Sequence, residues 1–475
     1  MNELDYLLYF YNYIYSDEPS IDRSFQVDYV QFDGFKNWLI NHNIYIDAIM
    51  KINEAMFNLA KSAKSASKIE QLLHINLTEE LLKIKHQYEH MIHVVFFKGN
   101  DDFPTFSIEK ENVVFHYIEN ALDEHYLSLT DPSQPFLFGI FHADEYPGAL
   151  IFTKDKQRFF KMNDENDISA LSDLLDDPCL FEYKETGYSY YIHLSDTHFN
   201  SRKYKALECL YESLNILTSL IKTDHQLKVF ITGDLMNTPN EKNMYMANDF
   251  MHTVKKHYHA DVTFILGNHD MITAGLSMST REKTKAIAYL LGEKIKILED
   301  DKIILLKIDS NMSGNFARGR IGERQLAEIE YELSDVEHLE EYTIAALLHH
   351  HVYPVTKADF IKRKWNEKFI IGKLMDSSKS LIDSQKFIDW LEKHHIHYVF
   401  HGHKHVPFLL NKHNSYVISA GSATGTLKES ESRYLSYNLL KYDYIKKQFV
   451  SCFIFYKDKK ESKKLRIETY LMEEK

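Results

Sequence analysis

Two residues two positions apart, Asp196 and His198, form the first group in this sequence that could bind a metal. They end the stretch YYIHLSDTHFN, residues 190–200, whose first half is apolar, β-branched and aromatic and therefore predicts a strand. Side chains two apart on an extended chain point to the same side. A carboxylate oxygen and an imidazole nitrogen would then stand together at the strand's end, which is half of a metal site.

Four further segments of this kind follow later in the chain. Each comes after an apolar run that predicts a strand, and together they are Gly233-Asp234, Gly267-Asn268-His269-Asp270, His349-His350-His351 and Gly402-His403-Lys404-His405. Any one of them alone would more often be a turn or a surface segment. Five strand ends that all carry Asp, Asn or His indicate a metal centre at the edge of an α/β sheet, where ligands of such folds usually bind.

The elements that must position these segments alternate along the second part of the chain. From residue 189 onward, strand-like runs alternate with amphipathic helical patterns, and this predicts a layered α/β domain. The later runs VPFLLNKHNSYVISAG, YLSYNLLKYD and QFVSCFIFY have no helical pattern between them. They predict hairpins in a second, more antiparallel sheet.

The first part of the chain has a different pattern. Between residues 33 and 93 apolar residues recur three and four apart, which predicts helices. Short β-like runs follow up to residue 160, namely HVVFF, ENVVFHYI, PFLFGIF and GALIFT, and DISALSDLLDD then predicts a short helix. We therefore expect a separate α+β domain of unknown role at residues 1–185 and the α/β domain at residues 186–475.

Bulk composition narrows the class of protein. The chain has 475 residues, 44% of them hydrophobic, which is enough for two or three domains, and its net charge of −13 argues against a general polyanion binder. Its three cysteines are far apart and predict reduced thiols. The first twenty residues contain no Lys or Arg, unlike a signal peptide, and no apolar run is long enough to span a membrane. We expect a cytoplasmic protein without membrane contact; its oligomeric state stays unpredicted.

In order and type, the five segments resemble the calcineurin-like metallophosphoesterase superfamily, which carries D-x-H, G-D, G-N-H-D, H and G-H-x-H. Three further stretches, Ile308-Asp309-Ser310, GRIGERQL at 319–326 and AGSATG at 420–425, resemble the bacterial branch that includes cyclic-nucleotide phosphodiesterases. The resemblance extends from about residue 190 to residue 456 and does not include residues 1–185. It implies a four-layer α/β/β/α sandwich with the site at the strand ends.

The resemblance also implies two divalent transition metals. The implied ligands are Asp196, His198 and His405 for one metal, Asn268, His349 and His403 for the other, and Asp234 as the bridge. A carboxylate can span two cations about 3.5–4 Å apart, and a mixture of Asp, His and Asn favours Mn, Fe, Zn or Ni over Mg. His349 directly follows its strand, as the family's ligand does; His350 is the alternative, because His351-Val352 stand where many members carry prolines.

The implied reaction is hydrolysis of a phosphoester by a metal-activated hydroxide, with the substrate-binding residues left unknown. His269 would protonate or stabilise the leaving oxygen, and Asp270 would orient His269. Protein Ser/Thr phosphatases of the superfamily carry Arg-Gly after the G-D block and Glu after G-N-H. Here LMNTP and Asp270 stand at those places, which disfavours a protein phosphatase, and Asn237 stands where those enzymes have the Asp partner of the catalytic His.

Our leading hypothesis is therefore a dinuclear-metal phosphodiesterase acting on small phosphodiesters such as cyclic nucleotides. A first alternative is a nuclease or phosphomonoesterase at the same site; the basic segment around residues 357–365 counts for a nuclease and the acidic net charge against it. A second alternative is a regulatory protein whose residues 1–185 sense a protein partner and control the phosphoesterase. That alternative predicts that activity rises when residues 1–185 are deleted.

Overall fold

A computed structural model of the chain divides it into two compact units. The first comprises residues 1–123 and 130–183, and the second comprises residues 124–129 and 184–475. The structure describes residues 86–99, 102–118, 125–128, 135–182, 185–200, 204–273, 276–277, 293–311, 318–353, 381–425, 435–457 and 464–473. The helices predicted between residues 33 and 85 and the basic segment around residues 357–365 lie outside the described residues.

In its described residues, the first unit contains a four-stranded sheet and two short helices. Its strands are β1 (Ile92–Phe97), β2 (Val113–Ile118), β4 (Gly148–Phe152) and β5 (Gln157–Lys161), in the order β2-β1-β4-β5, and its helices are α1 (Pro135–Ile140) and α2 (Asn166–Leu175). The strands predicted at HVVFF, ENVVFHYI and GALIFT and the helix at DISALSDLLDD are confirmed. The β-like interpretation of PFLFGIF was wrong, because a short apolar run also fits a buried helical turn and Pro135 is favoured at a helix start.

The second unit contains two large sheets. One has the order β11-β12-β13-β14-β16-β15 and the other has the order β3-β19-β18-β17-β6-β7-β8. The strands are β3 (His125–Ser128), β6 (Tyr188–Leu194), β7 (Lys228–Thr232), β8 (Asp261–Ile265), β11 (Ile295–Leu298), β12 (Ile303–Lys307), β13 (Thr343–Leu347), β14 (Tyr398–His401), β15 (Pro407–Lys412), β16 (Ser415–Ala420), β17 (Ser436–Asp443), β18 (Gln448–Lys457) and β19 (Lys464–Leu471). A short pair, β9 (Ile272–Thr273) and β10 (Leu276–Ser277), stands apart.

The described residues of this unit contain five α-helices. They are α3 (Tyr204–Leu220), α4 (Glu241–His257), the single turn α5 (Asn268–Met271), α6 (Glu323–Ser334) and α7 (Ser384–Lys393). Of these, α6 and α7 pack on the outer face of the sheet that contains β12. Among the described residues, no helix combines the length and the apolarity that crossing a bilayer requires.

The two sheets pack face to face. Phe230 of β7 contacts Phe400 of β14 across the interface, with ring centroids 5.4 Å apart. Alternate residues of β12 pack into two different hydrophobic cores. Ile303 belongs to the core between the sheets, whereas Ile304 packs with α6 and α7. Such strands are apolar on both faces. The result is the four-layer α/β/β/α sandwich that the family resemblance implies.

The hairpins predicted near the C-terminal end are confirmed, because β15 pairs antiparallel with β16 and β17 pairs antiparallel with β18. The second hairpin belongs to a mostly antiparallel sheet, in which β17 also pairs antiparallel with β6, whereas the first joins the other sheet through the parallel pair of β16 and β14. Each hairpin therefore extends a different mixed sheet. Every residue of β17 is buried, so this strand needs a neighbour on both sides, and β6 and β18 supply them.

Strand β3 completes the outer edge of one sheet. Residues 125–128 pair antiparallel with β19, and Leu127 is 1% exposed. Deleting residues 1–185, as the regulatory hypothesis suggests, would therefore also remove a strand of the second unit.

A buried ion pair joins the sheets at the N-terminal ends of β6 and β7. Asp301, fully buried in the turn between β11 and β12, lies 2.7 Å from Lys228 Nζ. It also accepts hydrogen bonds from Ser189 Oγ at 2.6 Å and from the Tyr191 hydroxyl. Burial alone would raise the pKa of Asp301, but these hydrogen bonds outweigh it and hold that pKa below its ordinary value.

We expect Asp301→Asn to lower the free energy of unfolding by about 3–5 kcal/mol, because it leaves the Lys228 ammonium buried without its counter-charge. Since the folded pKa of Asp301 is depressed, its contribution is present above the ordinary carboxyl pKa and is lost as pH falls below about 4. Urea unfolding at pH 7 and at pH 3 measures both effects. Glu323→Gln, which removes an exposed partner of Lys386, is the control and should leave the midpoint unchanged. An Asp301→Asn chain as stable as the wild type at pH 7 would contradict this account.

Candidate metal centre

The five candidate segments meet at one end of the sandwich. They follow the C-terminal ends of β6, β7 and β8 in one sheet and of β13 and β14 in the other. Residues separated by more than two hundred positions in sequence are thereby brought into contact.

The first donor set contains Asp196, His198, Asp234 and His405. One ligand atom of each lies within 4.8 Å of the others. His405 Nε2 is 3.1 Å from Asp196 Oδ1 and 3.0 Å from His198 Nε2, and His198 Nε2 is 3.6 Å from Asp234 Oδ2. The two carboxylates are buried, so this set could hold a cation away from solvent.

The second donor set surrounds the same Asp234. His349 Nε2 lies 3.3 Å from Asp234 Oδ2 and 3.0 Å from Asn268 Oδ1. His403 Nδ1 lies 3.1 Å from Asn268 Oδ1 and 3.3 Å from His349 Nε2. One oxygen of Asp234 therefore contacts an imidazole of each set.

His349 and His350 have different surroundings. His349 presents Nε2 to the donor set, and its Nδ1 lies 2.8 Å from the Thr232 carbonyl oxygen. His350 is also buried, but its Nδ1 lies 2.8 Å from Ser310 Oγ. The structure thus brings His349, the first of our two alternatives, into the second donor set.

The arrangement of lone pairs tests whether cations fit these residues. Because Nδ1 of His349 donates to a carbonyl oxygen, Nε2 of the neutral ring that metal binding requires would present its lone pair to the oxygens of Asn268 and Asp234. Electron pairs that converge at 3.0–3.3 Å repel one another unless positive charge lies between them. Imidazole nitrogens mixed with oxygens are donors that suit first-row transition metals, so the residues fit divalent cations.

The pKa shifts around Asp234 agree with this. Burial would raise the pKa of Asp234, but His349 and His198 lower it well below its usual range. Burial would lower the pKa of His349, but the charge of Asp234 and its hydrogen bond raise it to about 9. Near neutral pH and without metal, a proton on His349 therefore supplies positive charge at a place that a divalent cation could take. The site therefore keeps its carboxylate ionised and attracts positive charge.

Most of the candidate ligands have strained backbones. Positive φ angles occur at Asp196 (51°), His198 (45°), Asp234 (52°), His403 (69°) and His405 (56°). Residues other than glycine rarely adopt this region, at a cost of about 1–3 kcal/mol each. Our argument that Asp196 and His198 share one side of an extended strand was wrong, since β6 ends at Leu194. The left-handed conformation of both residues, rather than strand alternation, directs them to the site.

Two motif glycines are required by close approach. A Cβ at Gly267 would lie 2.1 Å from Asp234 Oδ1, and a Cβ at Gly402 would lie 1.8 Å from Ser195 Oγ and 2.3 Å from Asp196 Oδ2. Such distances do not occur between real atoms, so a side chain at either position would displace a candidate ligand.

The two residues predicted to be catalytic have separate contacts. Asp270, fully buried, accepts backbone N–H bonds from Leu235 at 3.2 Å, Met236 at 2.8 Å and Gly267 at 2.9 Å. We expected Asp270 to orient His269; its carboxylate instead joins the loops after β7 and β8.

His269 is held by other groups. Its Nδ1 lies 3.1 Å from the Asn237 carbonyl oxygen, its backbone N–H donates to Asp234 Oδ1 at 2.8 Å, and its ring lies edge-on to His198 at 4.7 Å. The backbone of Asn237 therefore takes the orienting place that we assigned to Asp270. This orientation leaves His269 beside both donor sets and partly accessible to solvent.

The part of the chain that contains the candidate ligands also matches a known protein family. Residues 190–407 match the family model of calcineurin-like phosphoesterases, and this range contains all seven candidate ligands. No curated protein sequence matches the chain.

Several solved structures resemble the chain at low identity. Phosphopantetheinyl hydrolase from Mycobacterium tuberculosis matches with 10% identity and a TM-score of 0.32, over 50% of this chain and 90% of its own. GAP50, the anchor in the inner membrane complex of Plasmodium, matches with 12% identity and a TM-score of 0.38, over 61% and 89%. Vps29 of Entamoeba histolytica, solved in complex with zinc, matches with 10% identity and a TM-score of 0.27, over 59% and 98%.

We expect Gly267→Ala to weaken Mn²⁺ binding at least about 10-fold, because the added methyl group would displace the Asp234 carboxylate. Metal content after dialysis against Mn²⁺, measured by elemental analysis, tests this. The matched control is Gly148→Ala in β4 of the first unit, whose added Cβ would lie 2.6 Å from the Phe159 ring; this clash involves no candidate ligand and should leave the metal content unchanged. A Gly267→Ala chain that retains the full metal content would refute the close-approach argument.

Proposed function

Residues 190–407 of this chain belong to the calcineurin-like phosphoesterase family, and from that premise we propose that the protein hydrolyses small phosphodiesters, such as cyclic nucleotides, with two divalent metals. One observation carries the proposal: the Asp234 carboxylate lies between two sets of donors and contacts an imidazole of each, at 3.3 and 3.6 Å. A single shared carboxylate is the arrangement that a pair of neighbouring cations needs.

We assign the ligands as the donor sets suggest. Asp196, His198 and His405 would hold one metal, Asn268, His349 and His403 the other, and Asp234 would bridge them. The mixed nitrogen and oxygen donors favour Mn, Fe, Zn or Ni over Mg. When bound, two such ions would polarise the phosphoryl oxygens and lower the pKa of a bound water towards neutrality.

The chain's own residues would supply the rest of the reaction. Asp234 stays ionised in its buried position and would supply the shared negative charge that two neighbouring cations require. His269, with Nδ1 held by the Asn237 carbonyl, would present Nε2 to the leaving oxygen and donate a proton or positive charge as the ester bond breaks. Asp270 would act indirectly, by fixing the loops that carry Asp234 and His269.

The substrate class is argued from residues beside the site. Leu235 and Met236 are buried and follow Asp234 directly, where the protein phosphatases of the superfamily carry Arg-Gly. The proposed site therefore lacks the arginine that those enzymes use at this position. The net charge of −13 disfavours long polyanions as substrates. Both features favour a small phosphodiester over a phosphoprotein or a nucleic acid.

We expect two variants to separate metal binding from catalysis. Asp234→Asn should reduce both metal content and kcat, because it removes the bridging charge. His269→Ala should lower kcat about 100-fold or more, the usual contribution of a general acid, with the metal content unchanged. The measurements are hydrolysis of bis-p-nitrophenyl phosphate with Mn²⁺ and elemental analysis of the same samples. His90→Ala, at an exposed position, is the matched control. Equal activity of His269→Ala and His90→Ala would remove His269 from the mechanism.

A substrate panel tests the substrate class. We expect cyclic AMP and bis-p-nitrophenyl phosphate to have higher kcat/KM values than p-nitrophenyl phosphate and single-stranded DNA, with turnover abolished by EDTA and restored by Mn²⁺. Preference for the monoester or for DNA would favour the alternative phosphomonoesterase or nuclease. If no phosphoester is hydrolysed with any of the four metals, the proposed function is wrong.

A further inference from the structure

Two short segments form hydrogen bonds with the loops that carry the candidate ligands, but neither contributes any of the seven donors. We call residues 308–311, which follow β12, the 308–311 brace, and residues 422–424, which follow β16, the 422–424 brace. Both belong to stretches that the sequence singled out and to which the proposed mechanism gives no role.

The 308–311 brace contacts residues that lie next to the second donor set. Asn311 Nδ2 donates to the Leu266 carbonyl oxygen at 3.0 Å, directly before the Gly267-Asn268 turn. Ser310 Oγ accepts the His350 backbone N–H at 3.2 Å and lies 2.8 Å from His350 Nδ1. Ser310 Oγ therefore holds both the backbone and the ring of His350.

The fixed ring of His350 supports two candidate ligands. Its centroid lies 4.5 Å from that of His403 and 5.2 Å from that of His349. The brace is itself anchored on helix α6, where Gln325 accepts the Asp309 N–H and donates to the Asp309 carbonyl, both at 2.8 Å. Through these contacts, helix α6 helps to fix the positions of Asn268, His349 and His403.

The 422–424 brace holds the other loop. Ser422 Oγ donates to the Asp196 carbonyl oxygen at 2.8 Å, and Ala423 N–H donates to the Ser195 carbonyl oxygen at 2.8 Å. The Thr424 hydroxyl donates to the Thr197 carbonyl oxygen. All three brace residues are fully buried. These contacts restrain the backbone at the strained positions that carry Asp196 and His198.

We propose that the two braces are positioning elements for separate metals, the 308–311 brace for the Asn268, His349 and His403 set and the 422–424 brace for the Asp196, His198 and His405 set. The inference rests on the proposed function for the identity of the bound group. Groups that orient ligands from behind commonly change metal affinity 10–100-fold. Each brace therefore sets the affinity of one metal and leaves the other unchanged.

The chain offers a matched set of serine variants. Ser310→Ala and Ser422→Ala each remove one fully buried hydroxyl from one brace. Ser213→Ala removes an equally buried hydroxyl that donates to the Leu210 carbonyl at 2.8 Å within helix α3, remote from the donor sets, and controls for a merely structural effect. Asn311→Ala is a second variant of the 308–311 brace.

Two variants that each lack a ligand of one donor set serve as backgrounds, and they show which metal each brace affects. Asn268→Ala leaves the first donor set intact and His405→Ala leaves the second. Metal-free full-length protein is titrated with Mn²⁺ by calorimetry, and Co²⁺ absorption spectra report the ligand geometry independently. We expect Ser310→Ala and Asn311→Ala to weaken Mn²⁺ binding about 10-fold or more in the His405→Ala background and to have no effect in the Asn268→Ala background. Ser422→Ala should do the reverse, and Ser213→Ala should change neither.

The outcomes distinguish this inference from the proposed function. Serine variants that weaken Mn²⁺ binding equally in both backgrounds, or that behave like Ser213→Ala, overturn the assignment of one brace to one metal. The assignment is also overturned if neither background binds Mn²⁺, because the two metals then do not bind separately. If the wild type binds two Mn²⁺ but hydrolyses no phosphoester, the proposed function fails while the brace assignment is judged on the titrations. If the wild type binds no Mn²⁺, both fail.

Discussion

The convergence of electron-pair donors on the Asp234 carboxylate is the constraint on which the rest of this structure depends. Imidazole nitrogens, carboxylate oxygens and an amide oxygen face one another at 3.0–3.6 Å in a buried space. Such a group of donors repels itself unless positive charge is present, and five of the seven residues have backbone conformations that cost energy. The surrounding fold must hold them in place against both effects.

The sandwich provides the rigidity that this requires. The donors follow strands of both sheets, so the packed aromatic core between the sheets fixes the distance between Asp196 and Asp234 on one side and His349 and His403 on the other. Close backbone approach at Gly267 and Gly402 leaves the loops no alternative packing. Asp270 and the two braces add hydrogen bonds to the same loops from behind. Buried polar groups that are satisfied in this way specify one arrangement of the site.

The sequence predicted the layers and the ligand types because both depend on local patterns. Alternating apolar runs located the strands, and Asp, Asn and His at five strand ends located the site. It did not predict the left-handed backbone at Asp196 and His198, because the argument assumed an extended chain. It also missed the backbone contacts of Asp270 and the hydrogen bonds of Ser310 and Ser422. These hydrogen bonds join segments distant in sequence, and no periodicity of the chain marks them.

The most direct test of the central claim is a crystal of the full chain grown with Mn²⁺ and measured at the manganese absorption edge. The account predicts two anomalous peaks about 3.5–4 Å apart, with Asp234 contacting both, His198 and His405 on one peak and His349 and His403 on the other. A single peak, or two peaks that do not share Asp234, would contradict it.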